Sequence, residues 1–301
     1  VDIVDLQFQG REHVIATAVL RGPDGFTLVD PGPTSCLPAL EAGLARLGGT
    51  LRDVRMILLT HIHLDHAGAT GTIVARAPHV RVAVHERGAP HMVDPAKLLA
   101  SATRLYGDRL DVLWGAFEPV PAAHVRPLAG GERLDIAGRP VRVAYTPGHA
   151  IHHVAYLDEC EGVAYVGDTC GIRVVRDYTI AATPPPDIDL EAWDRSLTAI
   201  AAWNPAALLL THFGRVASAR AHIAGYRAVL GATAKAVREG FALEASDEAR
   251  SAAFVDHLRA EARGWLSERE VAALELAAPF EQIWAGLARY WRKQAPPSEG
   301  A

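Results

Sequence analysis

Cysteine is scarce in this 301-residue chain: there are three, Cys36, Cys160 and Cys170, odd in number and far apart. That pattern excludes a disulfide framework, contains no Cys-x-x-Cys pair of the kind that holds zinc, and fits a reducing compartment. Basic charge is not in excess either. The 30 Lys and Arg against 35 Asp and Glu leave a formal net charge of −5, which is no footprint for a nucleic-acid surface. Long apolar runs are missing as well. The stretch "LTAIAAWNPAALLL" (197–210) is broken by Asn204-Pro205 and is too short to cross a bilayer. No signal peptide is visible, so a cytoplasmic location without membrane association is expected, although the chain opens at Val1 and leaves room for a removed leader. Nor is there a Gly-x-Ser-x-Gly elbow to present a serine nucleophile. What remains is an ordinary globular composition, half hydrophobic and 22% charged, compatible with one large domain or two modest ones.

Short β-branched runs alternate with amphipathic stretches through the first two thirds. "HVIATAVL" and "GFTLVD" flank a Gly-Pro-Asp-Gly turn and predict a hairpin. A helix follows with Ser35 as N-cap, the stripe Leu37, Leu40, Leu44, Leu47, and Gly48-Gly49 as its stop. "VRMILLT" is apolar throughout, as in a strand buried on both faces. It runs into a polar cluster, and the same arrangement recurs: "PVRVAYTPGH" ends at His149, "GVAYVGDT" at Asp168 and "AALLLTHFG" at His212. Strand ends of this kind are where open α/β architectures place their sites. Residues 88–120 predict a helical insertion, with strands resuming near 132. "TPPPDID" (183–189) reads as a stiff loop, after which Asp189 caps a helix with the stripe Leu190, Trp193, Leu197, Ile200. From 216 strand signals vanish. Ser267-Glu268-Arg269-Glu270 is a capping box, and Phe280, Ile283, Trp284, Leu287 and Trp291 share one helical face. The expected organisation is therefore a domain over 1–215 and a helical subdomain over 216–301, with "APPSEGA" as a frayed tail.

The densest chemistry lies in "THIHLDHAG" (60–68), which packs three histidines and a carboxylate into six positions. Neutral imidazole and carboxylate suit borderline ions such as zinc, and also iron or manganese. His61 and His63, two apart on an extended turn, can point to the same side. If a helix then begins, Asp65 and His66 leave its first turn in another direction, so one segment can serve two adjacent ions. His149, Asp168 and His212 are the candidate partners from elsewhere, and Asp168 is best suited to span both.

With these residues in view, the sequence resembles the metallo-β-lactamase superfamily, whose hallmark is His-x-His-x-Asp-His. It also carries an early Asp-x-Gly (Asp30-Pro31-Gly32), a lone His (His149), a Gly-Asp (Asp168) and a last His (His212), covering about 14 to 214. The resemblance implies a four-layer αβ/βα sandwich with the site at its edge. It assigns His61, His63 and His149 to one metal and Asp65, His66 and His212 to a second, with Asp168 bridging and Asp30 orienting a ligand. Two divalent ions, zinc before iron or manganese, would acidify a bridging water. The resulting hydroxide would attack a carbonyl or phosphorus, with Asp65 orienting it and moving its proton.

The expected substrate is a small-molecule ester, thioester or lactone. The alternatives are β-lactam or phosphodiester hydrolysis, or redox chemistry of the persulfide dioxygenase kind. That last would use one iron on His61, His149 and Asp168, but the presence of Asp65, His66 and His212 argues for a second ion. Of His152 and His153, read as alternating on a strand so that at most one can help the site, His153 matches a histidine of glyoxalase II-like members and is the candidate to support the site, against a plain buried, hydrogen-bonded histidine. Tyr178 matches in role a tyrosine that donates to an oxyanion in N-acyl homoserine lactonases, against a plain packed aromatic. Cys170 reads as a small buried residue. His91, Lys97, Arg104 and Tyr106 sit in the insertion, a candidate for one wall of the pocket, since insertions often carry specificity; most charges on such a stretch are nonetheless solvated surface, and none is named as a substrate anchor. The stripe Trp284, Leu287, Trp291 reads as intramolecular packing, with a cap over the pocket or a homodimer seam as the alternatives.

Overall fold

Alternate residues of the central strands point into different buried clusters, and that alternation builds the layers. In the computed structural model, which describes residues 1–175 and 177–294, one sheet consists of β1 (Asp2–Asp5), β2 (Ala16–Gly22), β3 (Gly25–Val29), β4 (Val54–Leu58), β5 (Arg81–His85) and β6 (Val125–Leu128), in that order. The second contains β7 (Arg133–Ile136), β8 (Arg139–Tyr145), β9 (Val154–Asp158) and β10 (Val163–Gly167). A separate antiparallel pair, β11 (Ile172–Val175) and β12 (Tyr178–Ile180), precedes its last two strands, β13 (Ala207–Leu210) and β14 (Gly214–Val216). Leu58 of β4, Tyr156 of β9 and Leu209 of β13 meet in the cluster between the sheets. Their neighbours Ile57, Leu157 and Leu208 point outward into two further clusters.

Helices α1 (Leu37–Arg46), α2 (Leu64–Ala67), α3 (Thr70–Arg76), α4 (Ala89–Val93), α5 (Ala96–Tyr106) and α6 (Leu110–Trp114) cover the first sheet. The second is covered by α7 (Leu190–Ala202), α8 (Ala219–Gly240), α9 (Asp247–Arg263), α10 (Glu268–Ala277) and α11 (Phe280–Gln294). The result is the four-layer αβ/βα sandwich. The C-terminal helices share their cluster with the outer face of the second sheet, so their apolar stripes are buried on the sandwich itself. Trp284 and Leu287 are buried there, and Trp291 donates its indole N–H to the Ala234 carbonyl at 2.8 Å. Among the described residues no helix is long and apolar enough to cross a membrane.

Local expectations mostly hold, with physical reasons where they do not. Asp189 caps α7 by accepting from Ala192 N at 2.8 Å, and Ser267 with Glu270 forms the capping box of α10. Ser35 does not cap α1. Residues Thr34–Cys36 form a 3₁₀ turn instead, and the Ser35 hydroxyl donates to the Leu113 carbonyl at 2.6 Å. Strands resume at Val125, not near 132; β6 is short, holds a proline and buries only Leu128, so it lacks a strand signature. His152 and His153 lie in the turn before β9, not on the strand. The tail at 295–301 lies outside the described residues.

Strand direction positions the site. β3, β4, β5 and β6 run parallel. β8 is antiparallel to β9, which is antiparallel to β10, and β10 is parallel to β13, so β8, β10 and β13 end at one edge. Asp30, His61, His149, Asp168 and His212 all follow such ends.

Candidate metal centre

After β4 the chain runs without regular structure through His61 and His63, then turns into α2, which carries Asp65 and His66. Three imidazole nitrogens converge on one point. His61 Nε2 lies 3.0 Å from His63 Nδ1, and His149 Nε2 lies 3.2 Å from the former and 3.0 Å from the latter. A second group forms beside it, with His212 Nε2 3.2 Å and His66 Nε2 3.7 Å from Asp65 Oδ2. Asp168 stands between them. Its Oδ2 faces His149 Nε2 at 3.5 Å, while its Oδ1 faces His66 Nε2 at 3.3 Å and His212 Nε2 at 3.8 Å. The seven residues expected to bind metal are therefore brought together as two adjoining sets, His61–His63–His149 and Asp65–His66–His212.

Three observations show that these residues suit cations. His66 Nε2 and Asp168 Oδ1 are buried, face each other, and have no hydrogen-bond partner; unsatisfied buried polar atoms of this kind call for a ligand. Four imidazoles have their remote nitrogen engaged: His61 Nδ1 by Thr60 Oγ1 at 3.1 Å, His66 Nδ1 by Asp30 Oδ2 at 2.8 Å, His149 Nδ1 by the Ala182 carbonyl at 2.7 Å and His212 Nδ1 by the Val14 carbonyl at 2.7 Å. Donation from Nδ1 leaves the Nε2 lone pair free to bind metal. Finally, the electrostatics divide the two sets. Burial, with the neighbouring His149, holds His63 down at about 3, and burial with the surrounding imidazoles holds His61 well below its ordinary value. Burial also opposes charge on His66 and His212, but Asp168 and Asp65 outweigh it, joined at His66 by Asp30, and raise both. The second set thus draws positive charge to itself.

Asp30 organises the background. It is fully buried with φ 51°, and its carboxylate accepts from Thr60 N at 2.8 Å, Thr60 Oγ1 at 2.7 Å, His66 Nδ1 at 2.8 Å and Thr211 Oγ1 at 2.8 Å. His153 is buried behind His61, 5.0 Å between ring centroids, and is held by Thr146 Oγ1 at 2.8 Å and Thr169 Oγ1 at 3.1 Å. Gly167, with φ 46°, is required between them: a Cβ there would sit 2.5 Å from Thr60 Oγ1 and 2.7 Å from His153 Nε2. Tyr178 is not brought to the site. It packs half-buried against the helical cluster and is not among the cavity-lining residues. Cys170 is buried, and burial pushes its thiol well up.

His63, Asp65 and Asp168 form part of the wall of a cavity of about 960 Å³. Its other walls come from α5 and α6, the proline-rich loop, and the α10–α11 junction. Phe8, Leu98, Trp114, Leu276 and Ile283 give it an apolar lining, with Phe8 stacked on Trp114 at 5.1 Å. His91, Lys97 and Tyr106 of the insertion line it, whereas Arg104 does not. Three residues that sequence reasoning passed over also line it: Arg87, Arg109 and His152. For His152 the signal was present in the unusual pair of adjacent histidines, but strand alternation was the wrong geometry for a turn.

Comparison with known proteins agrees with this geometry. A family described as the metallo-beta-lactamase superfamily matches residues 10–212. The metallo-beta-lactamase fold-containing protein ST1585 of Sulfurisphaera tokodaii is 29% identical over 163 residues, 53% of this chain and 60% of that protein. A hydroxyacylglutathione hydrolase of Aeromonas hydrophila is 30% identical over 151 residues, 50% of this chain and 44% of the relative. The chain therefore spans about half the length of the curated relatives it matches. Among solved structures, the metallo-beta-lactamase family protein TTHA1429 of Thermus thermophilus superposes with a TM-score of 0.68 at 25% identity, covering 93% of this chain and 89% of its own. The subclass B3 metallo-beta-lactamase MEM-A1 from a soil metagenome library shares the fold, with a TM-score of 0.54 at 21% identity over 77% of this chain and 93% of its own.

Proposed function

This chain belongs to the metallo-β-lactamase superfamily, and from that premise we propose that it is a dinuclear metal-dependent hydrolase of a small-molecule ester, thioester or lactone. The observation that carries the proposal is Asp168, whose two oxygens face the two ligand sets separately. His61, His63 and His149 would hold one ion, Asp65, His66 and His212 the other, and Asp168 both. Two divalent cations held there, zinc first, would supply Lewis acidity, lowering the pKa of water toward about 7 and offsetting negative charge on the attacked oxygen.

The chain's own residues do the rest. Asp65 keeps some exposed surface at the cavity wall, so its carboxylate can take a proton from the attacking water and pass it to the leaving group. Asp30 and the Ala182 and Val14 carbonyls fix the imidazole orientations. His153 braces His61 from behind. The apolar walls seat the substrate's hydrocarbon part and exclude water. A thioester ranks first among the bonds to test, because a relative at 30% identity is a hydroxyacylglutathione hydrolase.

The test is metal content of protein purified without added metal or chelator, followed by thioester, ester, lactone, β-lactam and phosphodiester substrates. About two divalent ions per chain, with cleavage of a thioester, ester or lactone, is the expected result. A single tightly held iron with no second ion, and no hydrolysis, would overturn the reading in favour of redox chemistry.

A further inference from the structure

One part of the cavity wall holds a buried polar group with nothing to bind. His152, in the turn after His149, is 7% exposed and lines the cavity. Its ring stands edge-on to His63 at 5.8 Å and parallel to His61 at 6.2 Å, yet its buried Nδ1 has no hydrogen-bond partner. Buried polar groups are nearly always satisfied, and an orphan at a cavity wall calls for a partner from a ligand.

The charges lining the same cavity show what kind of ligand. Its acidic groups are mostly committed. Glu275 and Glu281 lie 2.7 and 3.5 Å from Arg259, and Asp65 and Asp168 belong to the metal centre. Its cations are not. Arg87, Lys97 and Arg109 line the cavity, and none makes an ion pair among the described residues. Asp187 is the remaining cavity carboxylate and pairs with none of them. Three free cations against one free carboxylate leave the cavity short of negative charge. Arg87 is also anchored, lying over the Tyr145 ring at 5.9 Å, while the Tyr145 hydroxyl donates to the Ile151 carbonyl, the residue before His152. The guanidinium and the orphaned imidazole therefore share one wall.

We propose that this wall is a carboxylate subsite, in which the His152 ring and the Arg87 guanidinium receive a carboxylate at the end of the substrate remote from the scissile bond. The preferred substrates are then acids as well as esters or thioesters: molecules with a reactive carbonyl at the metal centre, a short hydrocarbon spacer, and a free carboxylate. The reaction itself rests on the hydrolase reading above, but the binding preference does not.

Calorimetric titration of the metal-loaded protein with glutarate and with butyrate isolates the second carboxylate, since each acid has one carboxylate for the metal centre. Glutarate is expected to bind about tenfold more tightly, the worth of one charge-assisted hydrogen bond. His152→Ala and, separately, the exposed Arg87→Gln should each bring the ratio close to one while retaining both ions. Wild-type affinities within twofold of each other, or a ratio that survives both substitutions, would overturn the subsite. Cleavage of mono-4-nitrophenyl glutarate and 4-nitrophenyl butyrate, run in parallel, separates the two claims. If neither is cleaved but the glutarate preference stands, the hydrolase reading fails alone. If both are cleaved with equal kcat/KM and glutarate shows no preference, the subsite fails alone.

Discussion

Replacing Asp30 by asparagine changes one atom at the point where three segments meet. The carboxylate accepts four hydrogen bonds, one at Oδ1 from Thr60 N and three at Oδ2 from Thr60 Oγ1, His66 Nδ1 and Thr211 Oγ1. An amide has a single acceptor oxygen. Placed at Oδ2, it keeps three bonds and turns its NH₂ against the Thr60 N–H; placed at Oδ1, it sets a donor against the His66 Nδ1–H and makes the Thr60 and Thr211 hydroxyls, which can also accept, give up their donations. The first arrangement wins, and it leaves one buried backbone donor unsatisfied while weakening three bonds that had been charge-assisted. Together these cost about 2–4 kcal/mol of stability in the metal-free protein. The backbone adds nothing to that cost, because asparagine tolerates the left-handed φ of 51° as well as aspartate does. At the metal centre, His66 exchanges a carboxylate partner for an amide. Its lone pair becomes less basic, and affinity for the second ion should fall about 10- to 100-fold, or about 1.4–2.7 kcal/mol. Competition with a chromophoric chelator reads the affinity, and urea unfolding of the metal-free protein reads the stability. Thr211→Val is the control, since it removes one of the four bonds without touching His66 and should leave affinity within about twofold. If Asp30→Asn loses stability but keeps wild-type affinity for both ions, Asp30 is a brace for the turn and has no part in orienting His66.

Acidification should separate the two ions. His66 and His212 are raised above their ordinary value by Asp168 and Asp65, so in the metal-free protein protons compete for them toward neutral pH, and an ion must displace those protons. His61, His63 and His149 are lowered and stay neutral there. Lowering the pH from 8 to 6 should therefore release the ion at Asp65–His66–His212 first, as metal content at each pH shows; simultaneous loss of both would refute the division. Gly286→Ala places a Cβ against the Thr183 carbonyl, where α11 crosses the proline-rich loop, and should cost about 1–3 kcal/mol by overpacking. Calorimetric melting and proteolysis in the C-terminal helices read the effect, and an unchanged melting temperature counts against that contact. Trp193 is fully buried in the cluster under α7 and donates to the Thr169 carbonyl at 2.8 Å. Trp193→Ala should cost about 3–5 kcal/mol in urea unfolding, and a loss below about 1 kcal/mol would mean the layer repacks.

The metal ligands were legible because a strand leaves a strong signature and each ligand follows one. The strands in "GVAYV" and "AALLL" are apolar throughout since both their faces are buried, and the run from Val54 to Leu59 is apolar but for the exposed Arg55, so the polar residues that follow them stand out. The Asp189 and Ser267 caps were legible for the same local reason, a polar residue set against a periodic run. Ser35 misled because a 3₁₀ turn over Thr34–Cys36 shifts the helix start by one residue, which no local pattern records. β6 was hidden because pairing with β5, not its own residues, makes it a strand. The wall formed by Arg87 and His152 was illegible in principle. Its residues lie about 60 positions apart, carry no shared motif, and meet only because β5 and β8 end near the same cavity.

The ligand sets and the far walls of the cavity come from different stretches of the chain. The ions would be held by residues at 61–66, 149, 168 and 212, while α5, α6 and the α10–α11 junction, at 96–114 and 272–285, shape the space in front of them. Chemistry and selectivity are therefore inherited on separate tracts of sequence. Mutations that accumulate in the insertion or in the C-terminal helices can walk through substrates at constant chemistry, whereas almost any change at a strand end risks an ion. A randomised library confined to 98–114 and 272–285 samples new specificities at little hazard to the reaction. Descendants of this chain should accordingly diverge fastest where the cavity is widest.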